Sequence, residues 1–158
     1  LGAKLKKGNG TLSFVSSAPK VAAVDRKTGK VTIKNTGIAK ITVTASKTAE
    51  FKKQTKTVTV KVAPKKTALS SVKSKSAGKA VLTWKAASKA SGYRIRYAAN
   101  AKFKSAHTVL VSKASAKTKT ISKLKSKKIY YFRIQPYKKV GDVKVFGAYS
   151  KEKHVKIK

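Results

Sequence analysis

The sequence contains no cysteine. Disulfides and thiolate metal sites are therefore excluded, and packing alone must hold the fold. A chain without thiols has no need of a reducing compartment and is compatible with export. Acidic residues are almost as scarce: Asp25, Glu50, Asp142 and Glu152 are the whole set. Catalysis by paired carboxylates needs two that can approach each other, and none of these neighbours another in sequence. A calcium site needs several at once. The two histidines, His107 and His154, have no companion at zinc-ligand spacing. No Gly-x-Ser-x-Gly elbow accompanies the many serines, and no glycine-rich phosphate loop is present. No apolar run nears membrane-spanning length. No signal peptide is legible, and the pattern is already under way at Leu1, so the chain is expected to be part of a longer protein. These absences leave little room for an enzyme, and no cofactor is expected.

What is abundant is positive charge. Lysine and arginine number 40 among 158 residues, for a formal net charge of +36. Such a surface repels itself at low salt and attracts polyanions by releasing their condensed counterions. The cations are 36 lysines and only four arginines. Shaped phosphate or base readers favour arginine for its rigid two-pronged fork. A lysine coat implies solvation and diffuse attraction instead. Divided at Pro64, the first part carries 13 lysines and one arginine against two carboxylates, or +12. The second carries 23 lysines and three arginines against two carboxylates, or +24. The charge thus belongs to the whole chain.

Apolar residues alternate with polar ones, the period of half-buried strands. The clearest run is Trp84 to Tyr137. Val81-Leu82-Thr83-Trp84 holds the one tryptophan. Gly92-Tyr93-Arg94-Ile95-Arg96-Tyr97 puts Tyr93, Ile95 and Tyr97 on one face. Ile129 to Tyr137 puts Tyr130, Phe132 and Ile134 on another. Strands are expected at Leu69 to Val72, Ala80 to Trp84, Gly92 to Ala98, Thr108 to Val111, Thr118 to Ile121, Ile129 to Tyr137 and Tyr149 to Ile157. Ala101 to Lys104 reads as a loop with Phe103 tucked beneath it. Lys138 to Lys144 reads as a hairpin tip turning at Gly141-Asp142. This constellation resembles a fibronectin type III module over about residues 67 to 158. The resemblance implies a tyrosine corner made by Leu124 and Tyr130. Pro136 departs from the family pattern and is expected to end ladder pairing early on its strand.

Residues 1 to 63 show no helical stripe. Asn9-Gly10 signals a two-residue turn between Leu5 and Leu12. Val21 to Val24 and Val31 to Ile33 read as short strands joined by a tight turn, Asp25 to Gly29. Gly37 to Ala45 and Thr57 to Val62 follow, the latter with Val58, Val60 and Val62 on one face. Ser16 to Asp25, Thr28 to Val31 and Gly37 to Val43 resemble the bacterial immunoglobulin-like domain, group 2. That family has more chain upstream, so the resemblance implies a first domain clipped at its amino end. Ala63-Pro64-Lys65-Lys66-Thr67 is a short linker, implying a restricted end-to-end pair. The expected fold is all-β, two tandem immunoglobulin-like β-sandwiches: 1-63 and 67-158.

Resemblance to these families implies a non-catalytic spacer or adhesion unit of an extracellular protein, secreted or cell-wall associated, in Gram-positive bacteria. The lysines imply electrostatic binding to anionic polymers, either teichoic acid or glycosaminoglycan-like glycans. Nucleic acid is expected to bind only non-specifically, with Tyr131, Arg133 and Tyr137 as the stacking candidates. The alternative is a released ligand for a host surface receptor. Its contacts would be Lys138, Lys139, Asp142 and Lys144 of the hairpin, or the Phe103 loop. A monomer is expected.

Overall fold

A computed structural model describes all residues, 1–158. The chain divides into two compact units, Leu1–Val62 and Ala63–Lys158.

The first unit begins with β1 (Leu12–Ser16), β2 (Ala22–Val24) and β3 (Val31–Ile33). It ends with β4 (Gly37–Ala45) and β5 (Gln54–Val62). One sheet has the order β1-β4-β5, and β2 pairs with β3 in a second. Phe14, Ala22, Ala39 and Ile41 are buried between them. Ser16 and Ser17 fasten the first strand at its end. The Ser16 hydroxyl donates to the Ala22 carbonyl at 2.6 Å. Ser17 exchanges bonds with Lys40, its N–H donating to the carbonyl and its Oγ accepting from the amide, both at 2.9 Å.

The Asp25–Gly29 turn forms as its sequence implies. Asp25 Oδ1 accepts from the Lys27 amide, the Thr28 amide and the Thr28 hydroxyl at 3.0, 2.7 and 2.8 Å. These bonds hold its carboxyl below the ordinary range, the Thr28 amide contributing most. Gly29 has φ +70°, and a Cβ there would lie 2.7 Å from the Phe14 ring. The turn thus needs glycine twice over: for its backbone and for the aromatic it covers.

No hairpin forms at Asn9-Gly10. Strand structure begins only at Leu12, and the positive φ falls on Gly8. The preceding Lys4-Leu5-Lys6-Lys7 offers one apolar residue among three like charges. It has no face to bury as a partner strand. Thr11 is tied to the end of β4 instead. Its N–H donates to Ser46 Oγ at 2.8 Å, and its carbonyl accepts from Ser46 N–H at 2.9 Å.

In the second unit, β6 (Leu69–Lys73), β7 (Ala80–Trp84) and β10 (Thr118–Ile121) form a sheet ordered β10-β7-β6. β8 (Gly92–Ala98), β9 (His107–Val111), β11 (Ile129–Val140) and β12 (Val143–Phe146) form the other, ordered β12-β11-β8-β9. β13 (Lys153–Lys156) also pairs with β11. Between the sheets lie Leu82, Trp84, Tyr93, Ile95, Leu124, Phe132, Ile134 and Ile157. Trp84 meets Tyr93 edge-on at 5.3 Å, a favoured aromatic arrangement. The buried Tyr93 hydroxyl accepts from the Ala87 amide at 2.8 Å and donates to the Ala114 carbonyl at 2.9 Å. Tyr130 makes the expected corner, its hydroxyl accepting from the Lys125 amide at 3.3 Å beside buried Leu124. Tyr97 stacks on Phe132 at 5.8 Å. Burial, then neighbouring Tyr130, raises the Tyr97 phenol above its ordinary value of 10.0.

Pro136 does not stop its ladder to β8, which runs from Tyr131 to Tyr137. The Pro136 carbonyl accepts from Gly147 N–H at 2.9 Å, on the other edge. Its missing donor therefore faces the closing strand, and the interruption appears there. β12 pairs with Tyr137–Val140 and β13 with Ile129–Phe132. Between them the chain detours, anchored where Ser150 N–H donates to the Ile134 carbonyl at 2.8 Å. The single closing strand expected over Tyr149 to Ile157 is thus shortened to Lys153–Lys156.

Candidate functional site

Strand alternation in β11 sends Phe132 and Ile134 inward and Tyr131, Arg133, Gln135, Tyr137 and Lys139 to the outer face. Register adds Arg94 and Arg96 from β8, opposite Gln135 and Arg133. It also adds Lys144 and Phe146 from β12, opposite Lys139 and Tyr137. Two loops complete this face. Asn100 clamps one, its Oδ1 accepting from the Lys104 amide and its Nδ2 donating to the Lys104 carbonyl, each at 3.0 Å. This fixes Phe103, at φ 53°, in a buried position. The detour after β12 supplies Tyr149.

The result is a set of guanidinium–aromatic contacts. Arg94 Cζ lies 3.8 Å from the Phe146 ring centroid. Arg133 Cζ lies 4.1 Å from Phe103 and 4.3 Å from Tyr149. Gln135 is buried among them. With its amide oriented to suit its neighbours, its oxygen accepts from the Arg94 guanidinium, 2.6 Å from Nε, and its nitrogen donates to the Gly147 carbonyl at 3.0 Å.

Of the residues expected from sequence, Tyr131, Arg133, Tyr137, Lys139 and Lys144 share this face, with Phe103 packed onto Arg133. Lys138 does not, since it pairs with buried Val145 on the opposite side. Asp142 is exposed in the turn. The stacking set needs correction. Tyr137 is 2% exposed and offers no open ring to a base, and rings already cover Arg133. Phe103, expected as a receptor contact, is 6% exposed. Arg94, Arg96, Gln135, Phe146 and Tyr149 were not expected there. The period-two spacing of Arg94 and Arg96 was visible, but their meeting with Arg133 depends on register. Exposed charge lies everywhere else: every lysine but Lys138 and Lys144 is exposed.

The remaining chemistry-bearing residues stay apart. His107 stacks on Tyr97 at 5.1 Å, and His154 tilts against Tyr131 at 5.3 Å. No group of three histidines or carboxylates could hold a metal ion. No helix is long and apolar enough to cross a membrane.

Residues 3–47 match the family model for the intimin immunoglobulin-like domain. No curated protein sequence matches the chain. Among solved structures, the FN1–FN3 domains of chicken CNTN1 are similar at TM-score 0.54 and 18% identity, covering 94% of this chain and 57% of that one. A chain described as "Myokine structure" has TM-score 0.47 and 14% identity over 60% of this chain and 97% of that one. An FN3 domain of human collagen XX has TM-score 0.44 and 18% identity over 58% and 88%. The chain is all-β: two tandem immunoglobulin-like β-sandwiches, the first similar to the intimin immunoglobulin-like domain and the second built like a fibronectin type III module.

Proposed function

We propose that the chain is a non-catalytic spacer and adhesion segment of a secreted or surface-attached bacterial protein, held on anionic glycans by its lysines. The observation that carries this reading is the coat itself: a net charge of +36, spread over both units on side chains that are nearly all exposed. Exposed ammonium groups need no shaped pocket to hold a polyanion. They gain from the counterions it releases. Likeness to the intimin immunoglobulin-like domain supports a place at a cell surface. The ligands are teichoic acid or sulfated host glycans, and nucleic acid binds as one more polyanion.

The test is binding at 0.1 M salt to immobilised heparin, poly(glycerol phosphate) and uncharged dextran. Binding to both charged polymers and not to dextran is the expected result. Equal binding to dextran, or binding to neither charged polymer, overturns the reading. A saturable receptor site on the hairpin would show differently. Binding would then be lost in a Lys139, Asp142 and Val143 triple variant that still holds heparin.

A further inference from the structure

Three of the four arginines lie on one face of one sheet. Arg94 and Arg96 stand two apart on β8, and register sets Arg133 directly opposite Arg96. Directly opposed like charges destabilise an antiparallel pair. Asp25 and Glu50 belong to the first unit, Asp142 sits in a turn, and Glu152 precedes β13, so no carboxylate stands on a strand of this sheet.

The arginines differ in how well they are satisfied. Arg94 is provided for by Gln135 and Phe146. Arg133 has aromatic rings at 4.1 and 4.3 Å, yet its Nε is buried with no hydrogen-bond partner. A buried donor left unpaired is costly, and few survive in folded proteins without a reason. Guanidinium donors point within its own plane, so rings stacked on its face satisfy none of them. Beyond Arg96, register brings exposed Thr108 of β9, a hydroxyl at the same site.

We propose that the outward guanidinium N–H groups of Arg96 and Arg133 form a site for a single oxyanion, a sulfate or phosphate group. An oxyanion there neutralises the opposed pair. Two partly desolvated guanidiniums hold such a group more firmly than an exposed ammonium does. As the anchor point of a bound polymer, the site rests on the polyanion reading above. As an oxyanion site it stands alone, and the two are tested separately.

The first experiment follows the arginine Nε–Hε signals by nuclear magnetic resonance. Sodium sulfate replaces sodium chloride at constant ionic strength, and sodium phosphate is a second arm. Saturable shifts of Arg96 and Arg133, with Arg26 and Arg94 unmoved, are expected. Arg96→Gln should weaken sulfate by about tenfold or more, and Arg96→Lys should restore part of it. Four signals drifting together without saturation, or a still Arg133, overturn the proposal and leave a purely structural stack.

The second experiment measures heparin oligosaccharide and poly(glycerol phosphate) against Arg96→Gln and a charge-matched control, Lys119→Gln. Lys119 is exposed on β10, in the other sheet. Its loss should cost less than about twofold. The polymer that loses more on Arg96→Gln is the source of the group. Equal losses from both substitutions overturn the anchor and leave the polyanion reading standing. Saturable sulfate shifts in a protein that binds neither polymer do the reverse.

Discussion

Raising sodium chloride from 50 to 200 mM is expected to weaken binding to a densely sulfated polymer by about 10³-fold. The size follows from counterion release, in which the logarithm of the binding constant falls linearly with that of salt concentration. About six ion contacts give roughly that drop on a polymer as densely charged as duplex nucleic acid. Six contacts would engage a small share of the 36 lysines, so supply is not limiting. Exposed charges are also screened over a Debye length of about 10 Å at 0.1 M salt. A sparser polymer condenses fewer counterions and should give a shallower line. Fluorescence or calorimetric titration at four salt concentrations measures the slope. A loss below about threefold across the range would mean that contacts other than ammonium groups hold the polymer.

The largest stability effect is expected at Gly92, the first residue of β8. A Cβ placed there would lie 2.3 Å from the Val111 carbonyl oxygen and 2.7 Å from the Tyr137 hydroxyl. Neither neighbour can move freely. Val111 pairs with Tyr93 in the ladder to β9, and Tyr137 is buried with its ring 5.6 Å from Phe146. Gly92→Ala must push β8 away from one of them. Overpacking of this kind costs about 3 kcal/mol at the upper end of its usual range, a large part of a domain's typical 5–15 kcal/mol. Trp84 is the one tryptophan and is buried in the second unit, so its fluorescence reports that unit alone. Urea unfolding followed by Trp84 should show the midpoint fall sharply. An unchanged midpoint would mean that β8 and β9 are not packed as described.

The second unit was the more legible half. Alternation placed Ala80–Trp84, Gly92–Ala98 and Thr118–Ile121 at their observed bounds, because one face of each strand must be apolar to be buried. The corner of Leu124 and Tyr130 could be read because it is local, a hydroxyl reaching back five residues. Asn9-Gly10 misled for a complementary reason: turn chemistry proposes a hairpin, but burial of a partner strand decides it. Pro136 was read as a break without its direction, since a sequence does not say which neighbour a missing donor faces. The arginine–aromatic face was hidden most deeply. Arg94, Arg133 and Phe146 come from three strands and Phe103 and Tyr149 from two loops, so only register and loop geometry bring them together.

Acetylating the lysines tests the role of the ammonium groups most directly. The reaction removes their charge while leaving the guanidiniums of Arg94, Arg96 and Arg133 intact. Trp84 fluorescence and β-type circular dichroism verify that the product is still folded. Heparin affinity at 0.1 M salt should then fall by about a hundredfold or more. A folded, fully acetylated protein that binds heparin as tightly as the parent would contradict retention by lysine charge.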